Sequence, residues 1–173
     1  MKKRMNKKGF TLIELLAVIV IMGILMMIAI PAMTRYIENS RKDTFLSTAK
    51  EYTNAVRNMW ASDSLSCGGV SSSAVAAGTY YVEIDSSSNK NNLLESGGKS
   101  SWGNAEVKGY VKVVVSATGA ANTNVKYYVA LADTSNHGIK DSTTEADRLT
   151  RGSVETSGVT ASIPGSAAVC VES

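Results

Sequence analysis

The chain has 173 residues, of which 44% are hydrophobic, 19% charged and only two Pro, which excludes a disordered tail and a collagen-like chain. Its formal charge of +3 comes from Lys2, Lys3, Arg4, Lys7 and Lys8. From residue 10 onward 13 Lys and Arg face 15 Asp and Glu, so no basic groove and no nucleic-acid partner is expected there. One His and two Cys exclude a His/Cys metal cluster.

Residues 1–9 (MKKRMNKKG) are cationic and carry no acid. An apolar run, FTLIELLAVIVIMGILMMIAIPAM, follows over residues 10–33, and its last 19 residues hold no charge. As a helix at ~1.5 Å per residue that charge-free part spans about 28 Å, close to the ~30 Å hydrocarbon core of a bilayer. A buried helix of a soluble protein rarely stays apolar on every side for so long. The run is therefore expected to enter a membrane, with the cations on the cytoplasmic side and the rest of the chain exported. Three readings fit: a secretory signal with a poor cut site at Ala29-Ile30-Pro31-Ala32, a permanent anchor, or a segment made for assembly.

Glu14 bears on that choice, because an acid inside an apolar span is costly and usually marks function. A local role is also open to it. Thr11-Leu12-Ile13-Glu14 has the T-x-x-E spacing of a capping box, in which Glu14 caps a helix start and complements its dipole without any partner. The surrounding residues carry a resemblance. KKGFTLIELL, residues 7–16, is similar to the processing site of type IV prepilins and the related pseudopilins. It has the basic leader, Gly9 before the cut, Phe10 after it, and Glu14 as the fifth residue of the mature chain. The likeness covers roughly residues 1–60, with Gly23 and Pro31 where pilins often carry Gly and Pro. It implies that a prepilin peptidase cuts between Gly9 and Phe10 and methylates the Phe10 amine, and that Glu14 pairs with the Phe10 amine of a neighbouring subunit. Electrostatics agrees. An amine at the positive end of a helix dipole is unfavourable, and amine and carboxylate are each costly to bury singly and less so together. A stagger of about one turn between neighbouring helices brings the two groups together, a pairing that sets register more than it adds stability.

Pro31 removes the bond back to the Met27 carbonyl and Gly23 weakens the same stretch, so both are expected soft points where the helix kinks. Membrane helices also tolerate both residues with no mechanical purpose. Beyond residue 33 the pattern turns amphipathic. Phe45, Ala49, Tyr52, Val56 and Met59 recur at intervals of four and three, widened by Leu46 and Trp60, which predicts one helix from about residue 11 to residue 63.

Strand composition appears at residues 79–84 (TYYVEI), 107–115 (VKGYVKVVV), 125–131 (VKYYVAL) and 167–171 (AAVCV). Ser/Asn/Gly-rich loops lie at 86–92, 97–103, 119–124 and 133–144, and residues 145–151 read as one helical turn. The expected class is α+β: a long N-terminal helix packed by its stripe on an antiparallel sheet of about three to four strands. Pilins share that arrangement. The expected organisation is a leader at 1–9, a membrane or filament-core helix at 10–33, its amphipathic half at 34–63 and an exported β-rich head at 64–173.

Cys67 and Cys170 are the only cysteines. In an exported domain they are expected to pair, closing a loop of about 100 residues and stapling the end of the helix to the last strand. Two free thiols are the alternative, and many pilins instead bracket a C-terminal loop with their cysteines, a spacing from which this chain departs. His137, in Ser135-Asn136-His137-Gly138, has no orienting acid picked out by spacing and reads as a solvated loop residue. Asp133, Asp141, Glu145 and Asp147 lack the D-x-[DN]-x-[DN]-G spacing of a calcium loop, so no metal and no cofactor is expected.

No residue constellation favours an enzyme. The resemblance implies a structural subunit of a type IV pilus-like filament. Its implied partners are copies of itself, a prepilin peptidase, the pilus assembly platform and ATPase, and the membrane. The alternatives are a minor pilin or pseudopilin of a secretion or DNA-uptake system, and a membrane-anchored surface binding module. The expected location is the cytoplasmic membrane before assembly, with the C-terminal domain exported, and an extracellular pilus afterwards.

Overall fold

The computed structural model describes residues 9–88, 91, 93–94, 98–116, 124–141 and 143–173. Residues 1–8 of the expected leader, and 89–90, 92, 97, 119–123 and 142 of the expected loops, lie outside the described residues. The chain divides into two compact units, Met1–Asn39 and Ser40–Ser173, and the helix α1 (Leu12–Ala61) contributes to both.

In the first unit α1 is exposed on every side, Leu12 to Met33 included. The helix is long and apolar enough to cross a membrane by length and composition. It runs through Gly23 and Pro31 without a break, and the Thr34 hydroxyl donates to the Ile30 carbonyl at 2.9 Å.

In the second unit the rest of α1 buries Phe45, Ala49, Tyr52, Thr53, Val56 and Trp60. Trp60, four residues past Val56, ends the stripe, and Met59 is only half-buried. Thr53 sits in the stripe because its hydroxyl donates back to the Ala49 carbonyl at 2.9 Å. The helix stops where Asp63 turns to φ 57° and the Ser64 amide reaches back to the Met59 carbonyl at 2.9 Å. The Asp63 carboxylate accepts from the Ser72 hydroxyl and the Ser73 amide, fixing the chain beyond the helix.

The strands are β1 (Leu65–Cys67), β2 (Val70–Ser71), β3 (Gly78–Asp85), β4 (Val107–Val115), β5 (Val125–Asp133), β6 (Gly138–Ile139) and β7 (Ala168–Glu172). They form one sheet in the order β2-β1-β7-β3-β4-β5-β6. The α+β class stands, with two corrections. Among the described residues the sheet has seven strands rather than three or four, because β1, β2 and β6 are two or three residues long and leave no alternation to read. It is also mixed, since β7 runs parallel to β3 while every other pair is antiparallel. The meander β3-β4-β5 is in register at Val82↔Val111↔Val129. Val82, Ile84, Val107, Val111, Val113, Val129 and Leu131 share one core with Phe45, Tyr52, Val56 and Trp60 of the helix. The turn expected within residues 145–151 is the 3-10 turn Ala146–Arg148, and a second 3-10 turn, Arg151–Ser153, follows it.

Candidate functional site

Gly9 and Phe10 precede the helix, and Phe10 is 90% exposed. Thr11 caps the helix that begins at Leu12. Its amide and its hydroxyl both donate to Glu14 Oε2 at 2.8 Å, and the Glu14 amide donates to Thr11 Oγ1 at 3.3 Å. The box is reciprocal, so two amides at a helix start, which the helix itself leaves unpaired, are both satisfied. Both donors to the carboxylate are neutral groups on its own first turn. The first turn therefore presents a carboxylate amid exposed Phe10, Leu12, Ile13 and Leu15, a surface able to receive one cationic group.

Farther along, Gly23 stands in open space and Pro31 lies within the helix. In the second unit Cys67 and Cys170 are joined by a disulfide across the pair β1–β7, where they are also register partners, 103 residues apart in sequence. Both are buried.

The four acids considered for calcium are each engaged elsewhere. Asp141 accepts from Lys112, Glu145 pairs with Lys126 at 2.8 Å, and Asp147 pairs with Arg57 at 2.8 Å. Arg57 also lies 5.0 Å over the Tyr127 ring. Asp133 is buried and accepts from the Ser100 hydroxyl at 2.8 Å and from the Ser135 and His137 amides at 2.8 and 2.9 Å. His137 Nδ1 lies 2.9 Å from Oδ2, the oxygen that also accepts from Ser100. Burial pushes the Asp133 carboxyl up, but the His137 amide, the Ser100 hydroxyl and the imidazole outweigh it and hold the group below the usual carboxylate range. Among the described residues no group of three or more His, Cys, Asp or Glu could hold a metal ion.

His137 is thus no solvated loop residue. It stacks on Trp102 with ring centroids 4.7 Å apart, and Trp102 in turn meets Phe45 of α1 at 5.7 Å. Ser100, Asp133 and His137 bring together the residue types of a nucleophilic triad in the wrong order. The serine proton goes into the carboxylate, whereas activation requires the imidazole to take it. The node is a structural tie between loop 98–105 and the β5–β6 turn. No local spacing announces it, since Ser100 and Asp133 are 33 residues apart.

Comparison with known proteins bears on the first unit most directly. The family model for the prokaryotic N-terminal methylation motif matches residues 4–30. The type IV major pilin protein PilE of Neisseria gonorrhoeae is 37% identical over 84 residues, covering 45% of this chain and 50% of that protein. The fimbrial protein of Neisseria meningitidis serogroup A is 35% identical over 109 residues, covering 60% of this chain and 62% of that protein. The chain spans from half to less than two thirds of the length of these relatives. No solved structure matches significantly. The matched motif contains residues 7–16, and the relatives found are type IV pilin and fimbrial proteins.

Proposed function

We propose that the chain is a structural subunit of a type IV pilus-like filament, cut after Gly9, methylated on the Phe10 amine and assembled through its apolar helix. The observation that carries this reading is the methylation motif over residues 4–30, which includes Gly9, Phe10 and Glu14 and runs into a helix with apolar side chains exposed all round. The pilin names of the Neisseria relatives support it.

Cutting after Gly9 creates an amine next to Thr11. Alone, that cation sits badly at the positive end of α1. Glu14 of a neighbouring copy, displaced by about one helical turn, offers the compensating charge, and the neutral Thr11 donors yield to it. Pairing relieves both charges in apolar surroundings and fixes the stagger between neighbours. Repeating one heterologous contact without closure produces a helical fibre. Residues 10–33 form the filament core in this reading, 34–63 the amphipathic half of the helix, and 64–173 the exported head. A prepilin peptidase, an assembly platform and an ATPase are its partners, and the subunit waits in the cytoplasmic membrane before joining a surface pilus. The subunit is not an enzyme, and the head takes no nucleic acid.

One observation favours a second reading, a membrane-anchored surface module. The Thr11–Glu14 box already satisfies the carboxylate within one chain. The N-terminal residue and intact mass of protein recovered from cells decide between them. A start at Phe10 with about 14 Da added, one methyl group, supports the filament subunit. A chain that keeps residues 1–9 and forms no fibres supports the anchor.

A further inference from the structure

The last strand of the chain lies in the interior of the sheet. Strand β7 is flanked by β1 on one side and β3 on the other, and no ladder joins β1 directly to β3 among the described residues. The hairpin β1–β2 therefore belongs to the sheet only through β7. The hold of β7 itself is thin. Three residues pair with β1, three pair with β3, and Cys170 is its one buried side chain. Beyond the ladders, its end is tied by the Glu172 amide to Asn91 Oδ1 at 3.2 Å and by the Ser173 amide to the Ser64 carbonyl at 3.0 Å.

The chain that feeds β7 is equally lightly held. Val159 is buried and donates its amide to the Asn136 carbonyl, but none of residues 160–167 is buried. Fully extended, those eight residues reach about 27 Å, enough to carry a strand to an adjacent molecule. If β7 leaves, β3 is left with an unpaired edge over Tyr80, Tyr81 and Val82. An open edge of this kind pairs with any strand of fitting pattern, and a strand of identical sequence fits in the same register.

We propose that the slot between β1 and β3 is a strand-acceptor site, and that until Cys67 and Cys170 bond it exchanges its own β7 for β7 of a second copy of this chain. The Cys67–Cys170 bond then decides whether a head is closed on itself or linked to a neighbour. This inference holds whether or not the chain enters a filament.

The test uses full-length protein in detergent micelles. One tagged variant carries Cys67→Ser and a differently tagged one Cys170→Ser, so each keeps a single thiol. They are mixed under reducing conditions and then oxidised with oxidised glutathione, which takes up the two electrons and two protons released as each S–S bond forms. Strand exchange brings Cys67 of one copy against Cys170 of the other, so heterodimers appear at about tenfold excess over either homodimer. Random pairing, as unfolded variants produce, yields only twice as many, and that ratio or no heterodimer overturns the proposal. Hydrogen exchange on the unsubstituted chain, oxidised and then treated with a dithiol, provides a reading free of any variant. Protection of residues 168–172 is expected to fall roughly a hundredfold on reduction while that of 107–115 changes less than about threefold. Retained protection in 168–172, or loss throughout the sheet, overturns it.

Discussion

Gly109 of β4 and Gly138 of β6 close on the same stretch of β5 from its two sides. A Cβ at Gly109 would collide with the Ala130 carbonyl oxygen, and one at Gly138 with the Leu131 carbonyl oxygen. Their φ angles of 155° and 156° lie where side chains are strained. The obstacle in both cases is backbone, which cannot rotate away, so the register Gly109↔Leu131 depends on a missing methyl group.

Gly109→Ala is accordingly expected to destabilise the protein by about 3 kcal/mol or more, combining strain with a steric clash inside a central ladder. Thermal unfolding followed by Trp fluorescence measures it. A change in Tm of a degree or less would show that the sheet relaxes around the methyl group.

Asp133 is expected to contribute to acid sensitivity. Its folded-state value lies below the usual carboxylate range, so the stability it contributes is complete above the unfolded value of ~3.9 and is lost as pH falls below that toward the folded value. Asp133→Asn should lower stability near neutrality by about 1.5–3 kcal/mol, since it loses charge-assisted bonds from Ser100 and His137. It should also flatten the fall in stability as pH drops below the unfolded value of ~3.9. Denaturant titrations of both proteins across that range check the sign, and parallel curves would mean another carboxylate dominates.

Replacing both Cys67 and Cys170 by Ser removes a link between residues 103 apart. The chain-entropy model places the loss near 4.7 kcal/mol. Equilibrium denaturation of the double variant against the oxidised protein supplies the comparison, and a loss under about 1 kcal/mol would mean the reduced chain is already held compact by the sheet.

Glu14→Ala separates the two readings of the N-terminus. If the filament reading holds, fibre yield collapses while the unfolding temperature of the second unit stays unchanged, because the proposed pair with a neighbouring Phe10 amine cannot form. Thr11→Val removes the hydroxyl that donates to Glu14 at 2.8 Å but leaves the amine pair available, so fibres should persist. Electron microscopy of sheared surface material reads both outcomes. Normal fibres from Glu14→Ala would remove the charge pair from the assembly mechanism.

Much of the molecule was legible in order of sequence. A 19-residue charge-free run, the T-x-x-E spacing and the stripe beginning at Phe45 are local patterns, and local geometry alone turns them into α1 and its cap. Residues 107–115 were equally plain, because six of the nine positions are β-branched or aromatic. The short strands β1, β2 and β6 were not legible, since two or three residues carry no period.

By itself the sequence determined an apolar helix long enough to cross a membrane, its cap at Thr11, an amphipathic continuation and the β-rich character of the C-terminal two thirds of the chain. Only the tertiary structure decided that the chain's last strand lies parallel to β3 in the interior of the sheet, and that Ser100, Trp102, Asp133 and His137 form one node. The division has a physical cause. Periodicity and capping act over one or two turns of chain, whereas strand order and buried polar ties join groups tens of residues apart, whose meeting no local pattern records.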